Sequence, residues 1–211
     1  MGFTIDTEMK NMPDLSGVLS PYIDRQVRYK SGTDGKPRRV ISYGQSSAGY
    51  DIRMASKAKI FKPMFRHTPP VDGLTVVPID PKQGAGKMLV DMEIHTEQNG
   101  EEYFTIPPNS VILTHPAERF SMPDFVMATC TGKSTYARVG IFPNITPLEP
   151  GWEGFLTIEI ANLTPLPVKV YANEGIAQIL FYRLSAVPDT TYAKWGGKYQ
   201  NQAAEIVAAK V

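Results

Sequence analysis

A chain of 211 residues, 42% of them hydrophobic, can build a sizeable apolar core as one domain. Its 22 basic and 21 acidic residues leave a net charge of +1, which excludes a general electrostatic attraction to nucleic acid or to a membrane, so an anion would have to be bound by a local cluster. The single cysteine, Cys130, excludes an internal disulfide framework, and no run approaches the roughly 18 apolar residues of a membrane span, so we expect a soluble, cytoplasmic protein.

The predicted secondary structure begins with two short helices before residue 30. They lie around residues 13–16 and 20–25, and in the second Ser20 would cap the helix while Pro21 occupies its first turn. From Val40 onward, prolines and glycines divide the chain into runs of strand length. These runs are rich in Val, Ile, Phe, Tyr and Thr: "KAKIF", "VDMEIHTE", "EYFTIP", "SVILTHP", "FVMATCT", "GFLTIEIAN", "LPVKVYA" and "IAQILFYRL". Many short strands with turns between them predict a mainly β sandwich or barrel.

The domain organisation is predicted to be simple, with one domain over residues 1–211. Its special parts are an N-terminal helical segment over residues 1–39, a long excursion with several Pro and Gly over residues 62–88, and a C-terminal segment over residues 189–211. This last segment contains "YAKWGGKYQNQ", which is polar, aromatic and hinged by glycines, so it is a poor core strand and could be a mobile flap.

The stretch "GKSTYAR", which begins at Gly132, looks like the end of a phosphate-binding loop. A true loop of that kind needs a glycine five residues earlier, and that position is Met127. The lysine, the two hydroxyls and Arg138 could still bind phosphate oxygens through charge-assisted hydrogen bonds. An exposed turn followed by a half-buried strand explains the same residues equally well.

The stretch "SSAGYDIR", residues 46–53, combines small residues with an acid. Gly49 permits a tight bend, and Asp51 could hold a metal-bound water or a structural arginine. A simple turn into a strand that carries an Asp–Arg pair is the alternative interpretation.

The run "GFLTIEIAN" places an acid in the middle of a strand. Alternation puts Phe155, Thr157 and Glu159 on one face and the apolar residues between them on the other. A carboxylate that is desolvated between apolar neighbours is a candidate acid–base group, whereas a solvated outer face is the simpler interpretation.

The histidines and the cysteine give no metal or nucleophile motif. His95 and Glu97 match half of a zinc-deaminase signature, but its other half needs two cysteines and the chain has one. We therefore expect His95 at the surface. Cys130 has no histidine near it in sequence to activate it, so we expect a buried strand residue.

Six motifs taken together resemble those of the dCTP deaminase family, a branch of the trimeric dUTPase superfamily. "SSAGYDIR", "GKSTYAR", "TPLEPGWEG", "TIEIAN", "YANEGIAQILF" and "GGKYQNQ" occur in the order and spacing of that family, between about residue 40 and residue 202. The resemblance implies a distorted jelly-roll or β-barrel subunit with short N-terminal helices, and a homotrimer with active sites between subunits. It also implies deamination of dCTP to dUTP without zinc, with Mg²⁺ bound through the nucleotide triphosphate.

The resemblance further implies roles for particular residues. Glu159 would be the general base and acid for the attacking water, while Ser134 and Arg138 would orient that water and stabilise developing charge. Thr157 and Ile158 would read the base through their backbone, and the segment around Lys198 would close over the triphosphate. The full set of implied nucleotide-binding residues is Lys133, Thr135, Tyr136, Ala137, Glu149, Thr157, Ile158, Gln178, Tyr192, Lys198 and Gln202.

Three alternatives stay open from the sequence. A dUTP diphosphatase of the same superfamily would use an acid near Glu149 to activate water at the α-phosphate, and a bifunctional enzyme would catalyse both reactions. A nucleotide-sensing protein on the same fold would bind without turnover. Departures from the family pattern, which are Ala193, Trp195 and Ile160, also admit a 5-substituted dCTP as substrate.

Overall fold

The computed structural model describes residues 2–3, 17–63, 65–67, 74–82 and 85–210, most of which lie in short β-strands and the turns between them. The one α-helix of these ranges is a single turn, α1 (Ser134–Ala137), and a 3-10 turn spans Ala85–Met88. Neither could cross a membrane, because each is far too short, and no other helix in the described ranges could do so. The strands are β1 (Gly2–Phe3), β2 (Leu19–Ser20), β3 (Val27–Ser31), β4 (Pro37–Gln45), β5 (Tyr50–Phe61), β6 (Phe65–His67), β7 (Leu74–Val76), β8 (Leu89–Asp91), β9 (His95–Thr96), β10 (Glu102–Ile106), β11 (Ser110–Pro116), β12 (Arg119–Ser121), β13 (Val126–Gly132), β14 (Ile141–Asn144), β15 (Glu153–Gly154), β16 (Ile158–Asn162), β17 (Val168–Tyr171) and β18 (Gly175–Arg183). The predicted mainly β class is confirmed.

Ten strands form one antiparallel sheet around the long strand β5. Its main path is β1-β18-β5-β11-β16-β14, with β13 on β18, β4 and β8 on β5, and β3 on β4. The first half of β5 pairs with β18 and β4, and its second half pairs with β11 and β8. Strand β5 therefore joins two sections of the sheet, and the sequence motifs are divided between these sections. Smaller sheets have the orders β17-β10-β9, β15-β12-β2 and β6-β7.

The core lies on the inward faces of these strands, because alternate residues of a strand point to opposite sides. In β16 the side chains of Ile158 and Ile160 are 0% exposed, whereas Glu159 and Ala161 between them are partly exposed. The predicted alternation of this strand is therefore confirmed. Ile160 belongs to the core and faces away from Glu159.

The predicted helix over residues 20–25 is wrong. Strand β2 pairs with β12, and the residues that follow it are bends and extended chain. The Gln45 N–H donates to the Ile23 carbonyl at 3.0 Å, so this backbone is also joined to the end of β4. Pairing with partners distant in sequence thus outweighs the local helix-start signal. Residues 17–39 contain strands and no helix, and the predicted helix around 13–16 lies outside the described residues.

The predicted excursion over residues 62–88 contains some regular structure. Strands β6 and β7 pair with each other as a hairpin, and the 3-10 turn leads directly into β8. Ile79, Pro81 and Ala85 of this region contribute to the wall of a cavity.

Candidate active site

A cavity of about 540 Å³ lies against the face of β11 and β16, and its size is in the range of small-molecule binding pockets. We call it the Glu159 cavity. Its wall is formed by β11, by residues 145–159, by the excursion and by the C-terminal segment. The lining residues are Phe61, Ile79, Pro81, Ala85, Val111, Leu113, Ile145, Thr146, Pro147, Leu148, Glu149, Trp152, Phe155, Leu156, Thr157, Glu159, Tyr192, Tyr199, Gln202, Val207, Ala208 and Ala209. Five of the residues predicted to form the site are thus brought together: Glu149, Thr157, Glu159, Tyr192 and Gln202.

Glu159 is the partly buried acid of this cavity. It lies in β16 opposite Leu113 of β11 and Asn144 of β14. Its Oε2 is buried and accepts no hydrogen bond from the described residues. Burial raises the pKa of Glu159 above its ordinary value, because a desolvated carboxylate is less stable in its charged form. Glu159 is therefore a desolvated group that can exchange protons at higher pH than an exposed glutamate.

The C-terminal segment is bound to the cavity wall through Gln202. The Phe155 N–H donates to the Gln202 carbonyl at 2.9 Å. The Gln202 side-chain amide donates to the Thr157 hydroxyl, also at 2.9 Å. Gly154 makes this approach possible, because a Cβ there would lie 2.7 Å from the Gln202 backbone nitrogen. The second glycine of "GWEG", Gly154, is thus explained by this contact between two distant parts of the chain.

Aromatic residues of the same segment complete the wall. The Tyr192 N–H donates to the Pro150 carbonyl at 2.9 Å, and the Tyr192 hydroxyl accepts from the Tyr199 N–H at 3.2 Å. The Trp152 indole donates to the Tyr199 carbonyl at 2.9 Å. Lys198 does not line the cavity and is exposed to solvent.

The segment "GKSTYAR" lies outside the Glu159 cavity and begins at Gly132, the last residue of β13. Its predicted turn is the helical turn α1. Tyr136 is buried, and its hydroxyl accepts from the Tyr171 N–H at 2.9 Å, which fixes the turn from the inside. The exposed residues of the segment are Gly132, Ser134, Thr135, Ala137 and Arg138. The Arg138 guanidinium donates to the Ser134 carbonyl at 3.0 Å.

Lys133 forms an ion pair with Asp51 beneath this turn. Lys133 Nζ lies 2.5 Å from Asp51 Oδ2, and the two side chains are only 11% and 6% exposed. The Gln26 amide also donates to Asp51, at 3.1 Å. The predicted Asp–Arg pair within "SSAGYDIR" is wrong. Arg53 instead donates from its backbone N–H and its Nε to the buried Glu118, at 3.0 and 2.7 Å.

Gln178 joins the same neighbourhood. It lies in β18 opposite Asp51 of β5, and its amide donates to the Ser46 hydroxyl at 3.0 Å. Gly49 permits close packing on β18, since a Cβ there would lie 2.3 Å from the Ile179 carbonyl oxygen. We call the set Ser46, Asp51, residues 133–138 and Gln178 the Lys133 cluster. Apart from Ile158 and Lys198, the predicted site residues therefore fall into two separate groups within one chain.

The two groups differ in charge. The described residues of the Glu159 cavity include two glutamates and no Lys, Arg or His. The Lys133 cluster carries Lys133 and, on its outer surface, Arg138. Ile158 belongs to neither surface through its side chain, which is fully buried in the core, so only its backbone could reach a ligand.

Sequence reasoning missed several cavity residues. Trp152 and Tyr199 lie inside two of the quoted motifs, so a signal for them was present. Val111 and Leu113 belong to β11, which contains none of the quoted motifs. Only the alternation of residues along the strand could have indicated that both face the cavity. Cys130 lies in β13 as predicted, but it is partly exposed rather than buried, and desolvation raises the pKa of its thiol to about 12.

The antiparallel fold and the cavity define a mainly β ligand-binding protein, and comparison with known proteins identifies its family. Residues 25–184 match the family model described as dCTP deaminase-like. The chain is 43% identical to the dCTP deaminase of Herpetosiphon aurantiacus and 42% identical to that of Teredinibacter turnerae, over 202 residues that cover 96% of this chain and 96% of each relative. The chain belongs to the dCTP deaminase-like family.

A solved structure has a similar fold. It is the 2′-deoxycytidine 5′-triphosphate deaminase from Agrobacterium tumefaciens, with a TM-score of 0.54 and 20% sequence identity. The similarity covers 85% of this chain and 48% of that one, so this chain spans about half the length of that structure.

Proposed function

We propose that this protein hydrolyses the 4-amino group of dCTP, giving dUTP and ammonia. The observation that carries the proposal is Glu159, a partly buried carboxylate on the wall of a nucleotide-sized cavity. The family supports it, because relatives with 42 to 43% identity over nearly the whole chain are named dCTP deaminase. The single cysteine is compatible with action in the reducing cytoplasm.

In the proposed mechanism Glu159 moves both protons of the reaction. The carboxylate takes one proton from water as the water oxygen bonds to C4 of cytosine, and it passes that proton to N3. Glu159 then takes the remaining proton from the C4 hydroxyl and donates it to the amino group, so that the C4–N4 bond breaks and ammonia leaves as the C4 carbonyl forms. The raised pKa of Glu159 suits this exchange, because the group must be protonated and deprotonated twice in each cycle.

The active site is proposed to be shared between subunits of a homotrimer with the distorted jelly-roll form. A triphosphate carries several negative charges, yet the described residues of the Glu159 cavity supply no cation. Arg138 and Ser134 lie exposed outside the cavity of their own chain, where a neighbouring subunit could meet them. A guanidinium and a hydroxyl from a second copy would bind phosphate oxygens and orient the attacking water.

Magnesium would enter with the nucleotide. Among the described residues, His, Cys, Asp and Glu form no group of three that could hold a metal ion. Phosphate oxygens are ligands that Mg²⁺ prefers, and Glu149 at the cavity wall supplies a hard oxygen nearby. When bound, the ion would neutralise triphosphate charge. The proposed proton transfers at C4 use no zinc and run through Glu159.

A product assay tests the proposal. The purified protein is incubated with dCTP and Mg²⁺, and ammonia, dUTP and pyrophosphate are quantified. We expect ammonia and dUTP in equal amounts from the wild type, and no turnover from Glu159→Gln, which should still bind dCTP. Glu97→Gln, an exposed acid paired with Lys169, is the matched control and should retain activity. Loss of nucleotide binding together with activity in Glu159→Gln would count against a catalytic role.

The shared site can be tested by complementation. Glu159→Gln and Arg138→Ala should each be inactive alone. If each site takes Glu159 from one subunit and Arg138 from another, randomly mixed trimers should regain about a quarter of the wild-type sites. No recovery after mixing and reassembly would mean that both residues act within one chain.

A diphosphatase activity is the second candidate, and Glu149 favours it because its carboxylate lines the same cavity. Pyrophosphate in addition to ammonia would mean a bifunctional enzyme, and pyrophosphate from dUTP alone would mean a diphosphatase. Binding of dCTP without any product would mean a nucleotide sensor. The same assay with 5-methyl-dCTP tests the 5-substituted substrate, for which the apolar Val111 and Leu113 beside Glu159 leave a suitable surface.

A further inference from the structure

Two polar side-chain atoms of the described residues are buried without any hydrogen-bond partner. They are Glu159 Oε2 and His115 Nε2. Both lie on the same pair of strands: Glu159 faces Leu113 of β11, and His115 is two residues further along β11. Residues two apart in a strand share a face, so His115 and Leu113 point to the same side. The two unpartnered atoms therefore belong to one side of the sheet.

A ring contact supports this placement of His115. Its ring meets that of Phe155 edge-on, with centroids 5.8 Å apart and planes at 78°. Phe155 lines the Glu159 cavity. His115, which is 6% exposed, therefore lies directly behind the cavity wall.

The contact of the second ring nitrogen of His115, Nδ1, shows which of the two nitrogens carries the hydrogen. Nδ1 lies 2.9 Å from the Pro116 carbonyl oxygen, which can only accept a hydrogen bond, so Nδ1 carries the hydrogen. Nε2 then presents a lone pair. Burial lowers the pKa of His115, which keeps the ring neutral and Nε2 an acceptor. Glu159 Oε2 is likewise an acceptor when Glu159 is charged.

We propose that His115 is a positioning residue for the deamination, and that its Nε2 holds the second hydrogen of the water that Glu159 activates. The inference rests on the proposed function. One water molecule has two hydrogens and can satisfy both acceptors, which leaves its oxygen lone pairs free for C4. Diagonal neighbours on paired strands lie about 7–8 Å apart, with their Cβ atoms somewhat closer, so a glutamate and a histidine at these positions are long enough to share one bridging water.

This arrangement gives His115 a defined part in the reaction. When Glu159 removes one proton, the hydrogen bond to Nε2 keeps the remaining O–H, and with it the nucleophilic oxygen, in a fixed orientation. The same pair of acceptors disfavours the C4 carbonyl of the product, because a carbonyl oxygen offers no hydrogen to either of them.

Substitution of His115 separates positioning from packing. His115→Phe keeps an aromatic ring against Phe155 and removes both ring nitrogens, while His115→Gln keeps an acceptor at about the same distance from the backbone. We expect His115→Phe to lower kcat for ammonia release about tenfold, with KM for dCTP within about twofold of wild type, because one oriented hydrogen bond is lost. His115→Gln should recover at least about a third of the lost kcat.

The matched control is His95→Phe, since His95 lies in β9 and stacks on Tyr103 with ring centroids 5.3 Å apart. It should keep wild-type kcat. His115→Phe should melt slightly below wild type, because the change also removes the hydrogen bond that Nδ1 donates to the Pro116 carbonyl. A kcat of His115→Phe within about twofold of wild type would overturn the proposal. Equal losses in His115→Phe and His115→Gln with lowered melting temperatures would reduce His115 to packing, which also overturns it.

A crystal structure of the protein gives a readout that does not depend on turnover. We expect one water within about 3.2 Å of both His115 Nε2 and Glu159 Oε2, and its absence from well-resolved density would overturn the proposal. The measurements distinguish a failure of the proposed deaminase activity from a failure of the role of His115. A wild-type protein that releases no ammonia from dCTP removes the proposed function, whereas an active wild type with an equally active His115→Phe removes only the role of His115.

Discussion

Replacing Gly154 with alanine should detach the C-terminal segment from the Glu159 cavity. Gly154 has φ of 137°, which L side chains rarely adopt. A Cβ at this position would lie 2.7 Å from the Gln202 nitrogen and 2.9 Å from its carbonyl oxygen. Both are backbone atoms, so no side-chain rotation can relieve the clash, and Gln202 must move away.

The size of the effect follows from the contacts that hold the segment. The Phe155 N–H to Gln202 carbonyl bond, the Asn201 N–H to Glu153 carbonyl bond and the Gln202 amide to Thr157 hydroxyl bond each measure 2.9 Å. At about 1 kcal/mol net for each, they stabilise the docked segment by about 3 kcal/mol. The clash and the strained φ cost about as much, so the docked fraction should fall from nearly complete to about half. We expect kcat/KM for dCTP to fall about twofold, since residues of this segment line the Glu159 cavity.

Gly196→Ala is the control, because Gly196 also has a positive φ, 64°, but nothing lies within 4 Å of its added Cβ. That substitution costs only about 1 kcal/mol of backbone strain and should leave kcat/KM nearly unchanged.

Trp152 reports docking directly. In a Trp195→Phe background it is the remaining tryptophan of the two in the chain, and it is 6% exposed. Acrylamide should quench its fluorescence several-fold more strongly after Gly154→Ala, and no more strongly after Gly196→Ala. Unchanged quenching and unchanged KM in Gly154→Ala would refute the reasoning.

Three further outcomes follow from the burial of ionisable groups. Burial raises the pKa of Glu159, so its charged form destabilises the fold above the folded-state pKa, and this penalty disappears as pH falls through that pKa towards about 4.3. Glu159→Gln should therefore melt above wild type at pH 8, and thermal scans should find no difference near pH 4. Asp51→Asn leaves the Lys133 ammonium buried without its counter-charge and should cost about 3 kcal/mol in urea unfolding, whereas Asp91→Asn, whose side chain is 86% exposed, should cost almost nothing. Burial raises the pKa of Cys130 to about 12, so a thiol reagent at pH 8 should modify it only after unfolding, and fast labelling of the native protein would contradict that.

The strands that the sequence predicted best are those with long apolar, β-branched runs. "SVILTHP" coincides with β11, and "IAQILFYRL" matches β18 to within one residue. Strand β3 was missed because "VRYKS" has no buried face and reads as a polar loop. Its strand character comes from pairing with β4, which is not visible in its own residues. The helix over residues 20–25 was wrongly predicted for the same reason, because this part of the chain also pairs with residues distant in sequence.

The sequence motifs indicated a set of candidate site residues but not their division into two groups. The motifs interleave along the chain, since residues 46, 51, 133–138 and 178 form one group while residues 149, 157, 159, 192 and 202 line the Glu159 cavity. Only the pairing of β5 with β18 at one end and β11 at the other separates them. The ion pair of Lys133 with Asp51 was hidden for the same reason, as it joins residues 82 positions apart.

The separation has an electrostatic consequence for the proposed reaction. A guanidinium beside Glu159 would stabilise the carboxylate and lower its pKa, but within one chain burial acts without a neighbouring cation and raises it. A second subunit that presents Arg138 at the cavity would reverse part of that shift at the moment when the triphosphate also needs positive charge. In the proposed homotrimer, assembly would therefore do two things at once: it would supply cations for the phosphates, and it would lower the pKa of Glu159 again, which favours the charged form that takes a proton from water.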